Sequence, residues 1–221
     1  MEAKLDIGEL LKGAWERFKE RPGLCIGMWL IFVILQPSGS GGGGDPTAMQ
    51  DIPEEVLLVL LAIFLGCTCI SVVLGPVIRG GYDLAMLRLV RGEQDVAFGD
   101  LFAGFKKFVP LFLTGLLMGI AVLGGLVLCI VPGVILMLGL WPAFLLVMED
   151  DLSPMDALKE AWDLTRGYKG QIFLYAIVAG VIQMAGVMAC CVGLLVAGPV
   201  TQLGWMGAYN EMRQARAEAA E

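Results

Sequence analysis

The side chains best able to do chemistry in this chain are six cysteines, one run of three carboxylates and a few uncharged polar groups, and no histidine accompanies them because the sequence has none. That removes catalytic triads built on imidazole and zinc sites built on it. Cys67-Thr68-Cys69 and Cys190-Cys191 lack the two spaced pairs of a zinc ribbon, so neither a metal nor a cofactor is expected. Cys129 falls near the same end of its apolar run as Cys190 and Cys191 do of theirs. A disulfide from Cys129 to Cys190 or Cys191 is one reading, and three small hydrophobes is the other. Glu149-Asp150-Asp151 has no further metal-binding motif beside it and reads as a solvated helix end. No set of catalytic residues emerges.

The uncharged polar groups lie inside long apolar runs: Thr68, Ser71, Thr114, Gln183, Thr201 and Gln202. Thr114, Gln183 and Gln202 are the candidates to line a polar path. The alternative, that such residues bond a neighbouring helix or their own backbone, is the commoner use of them in membranes. Ion-coupled transporters usually keep an ionisable residue in a span despite a cost of about 2.5–3.5 kcal/mol on insertion scales. The apolar runs here contain none.

Four stretches are free of charge: Pro22 to Gly44, Val56 to Ile78, Phe108 to Met148 and Gly170 to Asn210. A helix needs about 20 residues to cross roughly 30 Å of hydrocarbon, so two of these runs are long enough for one pass and two for a pair. The sequence therefore predicts an all-α polytopic membrane domain over 1–221, with six spans at about 24–36, 56–78, 108–124, 126–148, 170–188 and 191–209. A Gly/Ser-rich outer loop occupies 37–55 and a tail 210–221. Composition agrees, with 57% hydrophobic and 17% charged residues and a mean hydropathy of +0.77. The first apolar run follows a charged helical segment over 1–21 rather than a short basic one, so a retained span is expected, not a cleaved signal.

Threading six spans puts all fifteen Lys and Arg residues on one side. Lys4, Lys12, Arg17, Lys19 and Arg21 precede the first span, and Arg79, Arg88, Arg91, Lys106 and Lys107 lie between the second and third. Lys159, Arg166 and Lys169 separate the fourth and fifth, and Arg213 and Arg216 close the chain. The positive-inside bias then makes both termini cytoplasmic in a bacterial inner membrane. A net charge of −7 without basic blocks excludes nucleic acid as a partner. Membrane lipids are expected partners, together with a protein partner or self-association within the membrane.

Three cytoplasmic segments, Leu5–Phe18, Phe98–Phe108 and Pro154–Thr165, mix apolar residues at helical spacing with charges. They read as amphipathic interfacial helices anchored by Trp15 and Trp162. Packing of these helices on one another is equally compatible. Ala14-Trp15-Glu16 matches Ala161-Trp162-Asp163, and Leu74-Gly75-Pro76-Val77 matches Ala197-Gly198-Pro199-Val200. The expectation is three parallel copies of an amphipathic helix plus a two-span hairpin, with helix breaks at Pro76, Pro132 and Pro199.

The stretches LFAGF (Leu101–Phe105), IVPG (Ile130–Gly133) and SPMDALKEAW (Ser153–Trp162) carry a resemblance that extends over about Trp15 to Tyr209. The chain resembles an uncharacterised six-span bacterial integral membrane protein family related to the membrane domain of glycerophosphoryl diester phosphodiesterases. The resemblance implies a helical membrane fold and brings no catalytic residues with it. The soluble phosphodiesterase domain is not in this sequence, so hydrolase activity is not expected. The function expected is that of a non-catalytic inner-membrane scaffold, assembly or accessory component. The alternative is a transporter, flippase or channel for an uncharged or amphipathic solute.

Overall fold

The computed structural model describes residues 5–35, 53–188 and 192–218, without the side chains of residues 54, 64, 67 and 192. The described residues are all helical apart from short connections. Helix α1 (Ile7–Glu20) starts at Asp6, whose carboxylate accepts the Gly8 and Glu9 amides. It buries Leu10, Ala14 and Phe18, one face at i, i+4 and i+8. The chain leaves the helix at Arg21, and Pro22 opens α2 (Pro22–Leu35). Within the described residues α2 runs for 14 residues, about 21 Å.

Helix α3 (Glu54–Val90) has 37 residues, about 55 Å, and divides in two. Its most apolar window is wholly unburied, with Leu58, Val59, Ile63, Leu65 and Ile70 all more than half exposed. From Val77 onward it forms the centre of the molecule, burying Val77, Tyr82, Ala85, Met86 and Leu87. A 3-10 helix (Phe98–Lys107) lies along this second half. The approach is very close: a Cβ on Gly81 would overlap the Leu101 carbonyl, and one on Gly104 the Val77 carbonyl. Backbone meets backbone there because two glycines face each other's chains.

Helices α4 (Phe108–Leu128) and α5 (Ile130–Leu140) form a hairpin turned at extended Cys129. After Trp141-Pro142 come α6 (Ala143–Asp150) and α7 (Pro154–Leu164), then α8 (Lys169–Met188) and α9 (Val192–Glu218). Ser153 caps α7, its hydroxyl accepting the Asp156 amide at 3.4 Å and donating to the Asp156 carboxylate at 2.6 Å. Ser153→Ala should lower stability by about 1 kcal/mol, read as a drop in the thermal unfolding midpoint in mild detergent.

Among the described residues four helical stretches are long and apolar enough to cross a membrane: Glu55–Val90, Phe98–Leu128, Ile130–Asp150 and Lys169–Met188. They mark the chain as a membrane protein. Of the other two expected spans, α2 is the short apolar helix, and α9 carries Thr201 and Gln202 in its apolar half.

The prolines do not break the helices as the sequence suggested. Pro76 lies inside continuous α3 and Pro199 inside continuous α9. The Pro76 ring packs where Gly115 of α4 leaves room for it. Pro132 falls in the first turn of α5, where a missing N–H costs little. The turn itself is made at Cys129.

Candidate functional site

The polar side chains gather where the second half of α3 meets α9, α6 and α2. Asp83 is 2% exposed and accepts the Gln202 side-chain amide at 2.6 Å. Its other oxygen lies 3.6 Å from the Arg79 Nε, one turn back on α3. Eight residues further along both helices, the Arg91 Nε donates to the Asn210 side-chain oxygen at 3.2 Å. Asp83–Gln202 and Arg91–Asn210 have the same sequence separation of 119, so α3 and α9 run parallel in fixed register. Phe32 of α2 stacks on Tyr82 with ring centroids 4.4 Å apart, and Trp29 fills the notch at Gly198. These contacts close α2 over the pair.

Beyond this lies a cluster of charges. Glu149 at the end of α6 pairs with Arg91 and accepts the Tyr209 hydroxyl at 2.8 Å. Arg213 holds Asp150 at 2.5 Å. Lys107 pairs with Asp151 at 2.5 Å and donates to the carbonyls of Val147 and Met148 at 3.0 and 2.8 Å. As expected, the run closes a helix with Asp150 and Asp151 exposed, whereas Glu149 is mostly buried and paired. Cations from α3, α9 and the 3-10 helix each take one carboxylate, and Lys107 also caps orphan carbonyls at the end of α6. Nearby on α9, burial and then the Glu9 and Asp6 carboxylates push the Glu211 carboxyl above its usual range. A raised carboxyl binds its proton more tightly when folded, so its contribution to stability is present at low pH and lost as pH rises through the folded value. Glu211→Gln should raise the unfolding midpoint at pH 8 by a small margin, about 0.3 kcal/mol for so exposed a group. The gain should vanish below about pH 4, where the carboxyl is protonated in both states.

The structure does not bring Thr114, Gln183 and Gln202 together. Thr114 turns back on its own helix, its hydroxyl donating to the Pro110 carbonyl at 2.8 Å. Gln183 donates to the Thr201 hydroxyl at 3.2 Å, and Gln202 is taken by Asp83. The Thr201 hydroxyl itself donates to Ala197 and its carbonyl accepts from Tyr175, each at 2.8 Å. Trp15 is 45% exposed and stacked on Phe18, whereas Trp162 packs into the notch at Gly139, with the Lys169 ammonium 2.9 Å above its ring. Cys129 is exposed at the α4–α5 turn, while Cys190 and Cys191 lie outside the described residues. No group of three or more His, Cys, Asp or Glu gathers as a metal site among the described residues.

A family model described as a domain of unknown function, DUF7847, matches residues 5–210. The chain belongs to the DUF7847 family. The match runs from α1 into α9 and includes both halves of α3 and the charge cluster apart from Arg213. No curated protein and no solved structure matches the chain. What is assigned within this DUF7847 domain thus comes from its own residues.

Asp83 is the member of the site that sequence reasoning missed. It follows the second charge-free run by only five residues. One signal was available: Asp83 stands four residues after Arg79, a spacing that lets a carboxylate enter a helix interface already paired.

Proposed function

We propose that the protein is a non-catalytic membrane scaffold or assembly component, spanning the bilayer six times as three hairpin repeats with both termini cytoplasmic. One observation supports it most: the polar groups that a conduction path would need are spent on bonds within the chain, two of them between helices. Thr114, Gln183 and Gln202 each have a partner in the chain, and the partners differ. The outer half of α3 supplies the complementary feature, an apolar helix surface of about 18 residues that the other described residues leave uncovered. Helices in lipid associate by van der Waals packing over such faces. The one-sided distribution of basic residues supports a bacterial inner membrane with the charge cluster in the cytoplasm. The resemblance to the membrane domain of glycerophosphoryl diester phosphodiesterases enters as a relation of membrane fold alone.

Purification of the full chain from native membranes in mild detergent, with identification of bound protein, tests the reading. A defined protein recovered in fixed ratio, or a discrete homo-oligomer, is the expected result. A monodisperse single chain that carries a solute across reconstituted vesicles would overturn it.

A further inference from the structure

Two donors in the polar site have no hydrogen-bond acceptor among the described residues. The Arg79 Nε and the Tyr82 hydroxyl are buried there without one, although Asp83 is a near neighbour of both. One Asp83 oxygen is taken by Gln202, and the other, at 3.6 Å from the Arg79 Nε, is beyond hydrogen-bond reach. Buried donors of this kind are costly until an acceptor arrives. Arg79 is also the first charged residue after the run 56–78, which sets it at one edge of the hydrocarbon. Its side chain remains 44% exposed. From there the uncovered apolar half of α3 runs the depth of the membrane.

We propose that Arg79 is the headgroup site for one anionic phospholipid, its phosphate oxygens accepting from the guanidinium and its acyl chains lying along the exposed apolar half of α3. The planar guanidinium suits a phosphate, which it can grip through two parallel N–H bonds. Asp83 does not displace the phosphate, because it is buried and held by Gln202. The selectivity belongs to this one site: basic and acidic residues are mixed along the cytoplasmic helices, so the diffuse attraction of anionic lipid to them is weak. The proposal requires only that the chain sit in a membrane, and it stands or falls apart from the scaffold reading.

The test reconstitutes the full chain into nanodiscs of equal phosphatidylglycerol and phosphatidylcholine, re-extracts it in mild detergent, and measures the lipid retained. Wild type should retain phosphatidylglycerol over phosphatidylcholine by about five-fold. The double variant Arg79→Gln with Asp83→Asn removes both charges together, so the fold is not left with an unpaired buried carboxylate, and it should retain the two lipids equally. Arg88→Gln, on the same helix but paired with Glu93 and Asp100, should keep the wild-type preference. Equal retention by wild type, an unchanged preference in the double variant, or an equal loss in Arg88→Gln would overturn the proposal. So would inorganic phosphate displacing the retained phosphatidylglycerol at concentrations comparable with the lipid's own.

Discussion

Gly81→Ala is expected to lower stability by about 3 kcal/mol or more, among the largest effects of any single methyl in this chain. The new Cβ would overlap the Leu101 carbonyl and press on that of Asp100, and neither is the free end of a side chain that can swing aside. The 3-10 helix would have to lift from α3. It would lose the burial of Leu101 and draw Lys107 away from Asp151 and the end of α6. Gly104→Ala meets Val77 in the same way from the other side and should cost as much. Gly99→Ala, in the same 3-10 helix but with open space around it, is the control and should leave the unfolding midpoint nearly unchanged. Equal midpoints for all three variants in detergent would show that the helix does not dock as described.

The second large effect is expected at Asp83. Asp83→Ala should cost about 2–3 kcal/mol, below the range for a fully buried ion pair because Arg79 can still turn to water, with part of the loss coming from the stranded Gln202 amide. Replacing both Asp83 and Gln202 by leucine should recover more than half of that loss, since a buried polar pair can be exchanged for packed apolar side chains at little net cost. The check is a double-mutant cycle on unfolding midpoints. Additive losses would mean that the 2.6 Å bond does not couple α3 to α9.

Much of the architecture was legible from charge and hydropathy alone. The charge-free runs predicted helices where α3, α4, α5 and α8 lie, because length and composition are enough to demand a helix in lipid. The amphipathic segment Pro154–Thr165 placed the start of α7 correctly, since its apolar spacing is a local signal. The segment at 98–108 was expected as an amphipathic helix, and its register on α3 is set by Gly81 and Gly104 meeting foreign backbone, which no periodicity records. The polar site was less legible still. Gln202 drew attention as a path residue, yet its partner was a carboxylate over a hundred positions away, and only the parallel packing of α3 on α9 joins them. The acidic run at Glu149 looked solvated for the same reason: Arg91, Lys107 and Arg213 are all distant in sequence. The prolines misled because a single lost backbone bond does not end a helix in a membrane, where neighbouring groups can satisfy the freed carbonyl.

The most direct test of the scaffold account is photo-crosslinking in native membranes from single sites stepped along α3, from Leu57 to Val73. The account predicts adducts to one defined protein, a partner or a second copy, from positions that recur every three or four residues and mark one face of the helix. Lipid adducts alone, from every position around the helix, would contradict it.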